Sequence, residues 1–159
     1  MSSTHYESLK ESVWTAMETL PNRNATIVHL NGVAELCALI GIKRGLDVEI
    51  CRTAGILHDV WLFCHMPLSD EAHARHGYVG SEFAREFLAQ HGGYVDGQMD
   101  VIFRMIYHHN DKQDIHDEYA EALKDADALQ HYLNDSACDR KYRYYGRDQK
   151  LLREFIGTT

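Results

Sequence analysis

Five stretches of this chain repeat their apolar residues every three or four positions, and each carries a histidine or aspartate on or beside its apolar stripe. His29 shares a face with Val33, Leu36, Cys37 and Ile40. His58 aligns with Cys51, Ala54 and Gly55, and His76 with Val79, Gly80, Phe83 and Phe87. His108 aligns with Val101 and Met105, and His109 with Ile102, Met105 and Ile106. Asp127 follows Ala120 and Leu123. One inward histidine is ordinary core chemistry. Several together with an inward carboxylate are not, because a buried unpaired carboxylate is costly. A shared cation would neutralise the carboxylates and engage the imidazoles at once, as metals do between facing helices of a bundle.

The same periodicity sets the expected architecture. Helices are expected over residues 6–19, 25–44, 47–60, 72–89, 97–109, 117–133 and 148–156, with 61–71 irregular and Asn24 a candidate N-cap. The stretch 25–44 ends at Gly45, and Lys43 and Arg44 suit its negative end. Alternating strand-type patterns are absent. The expectation is all-α: a compact single-domain bundle of six to seven helices over residues 1–159. Its core is about 25–133, and a basic, tyrosine-rich loop and short helix occupy 134–159. The small residues Ala54 and Gly55 would let another helix come close.

Composition narrows the chemistry. With 159 residues, 45% of them apolar, the chain is long enough to bury a core. A net charge of −8 argues against a nucleic-acid duplex or an anionic membrane as partner. No apolar run is expected to approach the ~20 residues of a membrane span. Cys37, Cys51, Cys64 and Cys138 form no Cys-x-x-Cys pair and read as structural thiols of a cytoplasmic protein. Nitrogen and carboxylate donors without thiolate suit iron, manganese, zinc, cobalt or nickel, one or two ions, with magnesium also compatible.

The residues that carry this pattern resemble the HD superfamily of metal-dependent phosphohydrolases. The resemblance runs from His29 to about Leu129. It rests on His29-Leu-Asn-Gly-Val33, on Ala54-Gly55-Ile56-Leu57-His58-Asp59-Val60, and on Asp125-Ala126-Asp127-Ala128-Leu129. It implies His29, His58, Asp59 and Asp127 as ligands of one ion, with Asp125 an outer or surface residue. His76-Gly77-Tyr78-Val79-Gly80-Ser81 and His108-His109 resemble segments that ligate a second ion in dinuclear members. The implied second set is His76, His108 and a bridging Asp59, with His109 replacing or joining His108 and His73 an alternative to His76. His116-Asp117 reads as the start of the helix at 117–133.

The implied reaction is hydrolysis of a phosphate ester of a nucleotide or small metabolite by metal-activated water, with Asp59 bridging and able to accept a proton. The Gly-Tyr-Pro signature of the cyclic-di-GMP-cleaving branch is not visible. Lys112 is the first candidate for a catalytic or substrate-binding cation, followed by Arg75 and Arg23. The patch Arg140 to Arg147 reads as a solvated linker or a cover for the site. Trp61 and Phe63 read as core packing. A diiron oxygenase cleaving a C–C or C–P bond shares this ligand set, and a metal-stabilised sensor is a non-catalytic alternative. A homo-oligomer is compatible with everything above.

Overall fold

The computed structural model describes residues 3–134 and 146–157. Among these residues it is helical throughout: α1 (Ser3–Ala16), α2 (Arg23–Arg44), α3 (Val48–Leu57), α4 (Val60–His65), α5 (Asp70–Ala74), α6 (His76–His91), α7 (Asp96–His108), α8 (Glu118–Asn134) and α9 (Arg147–Ile156). The seven longer helices follow the expected segments. The two short ones fall in and around the stretch expected to be irregular. The third helix was expected to continue to residue 60. Instead it stops at Leu57, and Asp59 takes φ −117° and ψ 10° before α4 begins. Adjacent residues of one helix point about 100° apart; the break lets His58 and Asp59 serve the same cluster.

Local chemistry fixes the ends. Gly45, at φ 72°, closes α2 in the left-handed conformation that favours glycine. Asp47 caps α3 by accepting from the backbone N–H of Glu49 at 2.9 Å and Ile50 at 3.2 Å. Asp117 caps α8 in the same way, accepting from Tyr119 and Ala120. At the start of α2 the capping position is Asn22 rather than Asn24, and its side chain makes no capping bond.

Helix α2 is the centre of the bundle, packed mainly on α3 and α8. It buries Leu30, Val33, Ala34 and Cys37. By length and composition it is apolar enough to cross a membrane, contrary to the expectation that no run approached that length. The contact with α3 is close because residue 55 is glycine. A Cβ there would stand 2.5 Å from the Ala34 Cα. A second close approach joins α6 to the end of α7: a Cβ on Gly77 would meet Asn110 Oδ1 at 2.6 Å and the Tyr107 carbonyl at 2.7 Å. Each contact lies beside a histidine pair of the site.

Helix α9 is held by charge. Arg147 is buried, and its guanidinium donates to Glu121, to Asp125 and to the Lys112 carbonyl. Arg44 reaches Asp125 and Glu154, each at 2.7 Å. Asp125 is therefore a buried structural anion, not a surface residue. Of the basic, tyrosine-rich patch, residues 140–145 lie outside the described residues; Arg147 belongs to this network.

Candidate metal centre

Four helices and one break between helices bring seven ligand-type side chains to one place. His29 comes from α2, His58 and Asp59 from the α3–α4 break, His76 from the start of α6, and His109 from the end of α7. Asp127 and His131 come from α8. In the first group the His29 Nε2 stands 3.3 Å from the His58 Nε2 and 3.5 Å from Asp127 Oδ1. The His58 Nε2 stands 3.4 Å from Asp59 Oδ2 and 3.8 Å from Asp127 Oδ1. In the second group the His76 and His109 Nε2 atoms are 3.0 Å apart, at 3.5 and 3.1 Å from Asp59 Oδ1. Asp59 thus turns one oxygen to each group. Donors on one ion at about 2.0–2.2 Å stand roughly 3–4 Å from one another.

The backbone fixes which nitrogen faces inward. The Nδ1 of His58 bonds the Gly55 carbonyl at 2.8 Å, that of His76 the His73 carbonyl at 2.5 Å, and that of His109 the Ile106 carbonyl at 2.6 Å. A carbonyl only accepts, so each Nδ1 is the donor. In the neutral ring Nε2 then presents a lone pair. Two such lone pairs 3.0 Å apart, as on His76 and His109, need a cation between them. Asp127 Oδ1 adds to the case: it is buried and accepts no well-formed hydrogen bond. Yet the Nε2 atoms of His131, His29 and His58 surround it at 3.3, 3.5 and 3.8 Å. These His and Asp clusters fit divalent metal ions.

Electrostatics agree. Burial and the neighbouring His58 push the His29 imidazole down to about 4, and burial lowers His58 as well. Burial alone would raise the Asp59 carboxyl, but the surrounding imidazoles of His58, His109 and His76 hold it well below the ordinary range. Burial would likewise raise Asp127; the Lys112 ammonium, 2.6 Å from its Oδ2, together with His131 and His58, outweighs it. At neutral pH the centre holds two carboxylates and the neutral imidazoles of His29 and His58; burial would lower His131 too, but its contacts with Asp127 outweigh that and raise it.

The remaining sequence candidates divide. Lys112 lines the site, buried, and also donates to the His109 carbonyl. His108 does not join the cluster: it turns outward and stacks on His116 with ring centroids 3.8 Å apart. His109 takes the place beside Asp59, because at the end of α7 the two neighbours point about 100° apart and only one can face inward. His73 is exposed and contributes its carbonyl to His76. Arg75 is exposed and lies over the Tyr78 ring; neither it nor Arg23 lines the cavity. Trp61 is half-buried and stacks on exposed His65. Phe63 packs on the core and presents an edge to His29. His131 was missed in the sequence, although its i, i+4 spacing from Asp127 was the available signal.

The centre opens into a cavity of about 820 Å³. His29, Asp59, His76, His109, Lys112, Asp127 and His131 form its polar floor. Leu20, Pro21, Ala25, Leu62, Phe63 and Met66 form an apolar wall, and Asn22, Thr26, His73 and Asn110 supply further polar groups outside the cluster.

A family model described as the HD domain matches residues 26–132, which contain every residue of the cluster. Curated relatives include Ribonuclease Y of Pseudothermotoga lettingae, 34% identical over 86 residues, covering 54% of this chain and 14% of the relative. Ribonuclease Y of Aquifex aeolicus is 27% identical over 103 residues, covering 65% and 16%. That of Thermus thermophilus is 30% identical over 101 residues, covering 64% and 15%. The chain therefore spans only 14–16% of the length of these relatives. No solved structure matches the chain.

Proposed function

The chain belongs to the HD-domain family of metal-dependent phosphohydrolases, and from that premise we propose that it hydrolyses a phosphate ester of a nucleotide or small phosphorylated metabolite at a dinuclear centre. The observation that carries this reading is Asp59, whose Oδ2 faces the His29–His58 pair and whose Oδ1 faces the His76–His109 pair. His29, His58, Asp59 and Asp127 would hold one ion, and Asp59, His76 and His109 the other. Such ions, when bound, lower the pKa of a water and draw charge from phosphate oxygens.

The chain's own groups do the rest. The carbonyls behind His58, His76 and His109 keep three Nε2 lone pairs aimed inward. Lys112 holds Asp127 by Oδ2, which leaves Oδ1 turned to the imidazoles. Its positive charge also stands at the floor of the cavity, where a phosphate would sit. The wall of Leu20, Leu62, Phe63 and Met66 suits an organic group of the ester and keeps water from it. The relatives' name makes RNA a substrate to test, but the net charge of −8 favours a small one. The free thiols Cys37, Cys51 and Cys64 fit a reducing compartment, and we place the protein in the cytoplasm.

The test is hydrolysis, read as phosphate release from nucleoside monophosphates and small phosphate monoesters, and as formation of the monoester product from cyclic nucleotides and an oligoribonucleotide. Each is assayed with manganese, iron, zinc, cobalt, nickel or magnesium, and again after chelation. Metal-dependent hydrolysis of at least one small ester is the expected result. Turnover that needs iron and consumes dioxygen, with no hydrolysis under anaerobic conditions, would replace this reading with the oxygenase one.

A further inference from the structure

We propose that His131 is an additional metal ligand, joining His29, His58, Asp59 and Asp127 on one ion. The position of Asp59, His76 and His109 is then the open one. The proposal rests on the reading of the cluster as a metal centre, not on which ester is cleaved.

Three observations carry it. Asp127 and His131 lie one turn apart on α8 and so project from the same face. The His131 Nε2 stands 3.3 Å from Asp127 Oδ1, and its ring centroid 4.8 Å from that of His29. One donor atom from each of His29, Asp127 and His131 falls within a mutual 4.8 Å, and His29 is the member this group shares with that of His58 and Asp59. Donors on one ion at about 2.1 Å are separated by roughly 3 Å when adjacent and 4 Å when opposite. Finally, Asp127 Oδ1 is a buried acceptor without a well-formed hydrogen bond, and it sits between the His29 and His131 nitrogens.

The consequence is an asymmetric pair. One position has five protein donors and little room for anything else. The other has three, and so keeps places for water and for phosphate oxygens. The side chain of His131 is 41% exposed, so this ligand borders the cavity. The first ion should bind tightly and exchange slowly, the second weakly and quickly.

Co²⁺ is the probe, because its visible absorption strengthens as the coordination number drops. The wild-type protein is titrated with Co²⁺ by calorimetry and absorption, beside His131→Ala and His131→Asn. Two unequal sites are expected in the wild type. His131→Ala should weaken the tighter by more than about 10-fold and intensify its absorption, and His131→Asn should behave like it. An asparagine keeps an N–H donor for Asp127 but is a poor ligand. Wild-type affinity and spectrum in His131→Asn would show that His131 only donates a hydrogen bond, and would overturn the proposal. Paramagnetic NMR of the Co²⁺-loaded wild type needs no variant: shifted ring protons from five histidines support the proposal, from four refute it. No Co²⁺ binding by the wild type would instead remove the metal-centre reading itself, and this proposal with it.

Discussion

Asp125 and Asp127 lie two residues apart on α8, 3% and 5% exposed, and the fold satisfies them in opposite ways. Asp125 meets two guanidiniums, with Oδ2 2.7 Å from Arg44 and Oδ1 2.9 Å from Arg147. Both of its oxygens are satisfied within the chain. Asp127 has one oxygen on the Lys112 ammonium and the other surrounded by imidazole nitrogens. The first arrangement is complete and ties three helices together. The second is complete only with a cation. A buried carboxylate alone does not announce a site; a buried carboxylate with an unanswered oxygen among lone pairs does.

The largest expected effect tests the incomplete aspartate. Asp127→Asn should lower metal-dependent phosphate release by about 10³-fold or more, equivalent to several kcal/mol of lost metal assistance. Metal content of the purified variant checks the cause. Asp125→Asn should do the reverse: unfolding free energy falls by about 3 kcal/mol because two buried guanidiniums lose their partner. A thermal melt should then shift down by roughly 6–12 °C, while the folded variant still binds metal. A variant at 125 that lost metal without losing stability would erase the distinction.

An acid titration examines the neighbours of Asp127. In the metal-free protein the unfolded chain protonates His29 near its usual pKa of about 6.5, whereas the folded protein does so only at about 4. The contribution is therefore fully present above pH 6.5 and is lost as the pH falls toward 4, by up to about 3 kcal/mol. Denaturant melts across this range should show the decline, and His29→Asn should flatten it. A slope of opposite sign would mean that His29 pairs with Asp127 as an imidazolium. Smaller still is the contrast between His109→Ala and His108→Ala. The first should weaken metal binding by about 10- to 100-fold, and the second should leave the isotherm unchanged. Asp47→Ala, remote from both aspartates, should cost about 1 kcal/mol through its lost cap and leave metal binding alone.

Much of this was legible in the chain. The stripes holding His29, His58, His76 and Asp127 place those residues inward by periodicity alone, and the structure brings all four together. Other features were hidden for physical reasons. The break after Leu57 carries no proline or glycine at the junction, and its apolar residues continue into α4, so the pattern ran through it. His108 and His109 both border an apolar stripe, and only the true end of α7 decides between them. The partners of Asp125 come from Arg44 and Arg147, remote in sequence, and no local pattern reports such a pairing.

Gly55 bears on the centre from three residues away. Its carbonyl orients His58, and its missing side chain lets α3 rest on Ala34 of α2, the helix that carries His29. The span between the first two imidazoles is thus set by a backbone-to-backbone touch outside the polar floor. A single methyl group at position 55 would act as a shim, spreading the donors while every one of them stays chemically intact. Affinity and ion preference can in this way be tuned from a residue that never meets the ion.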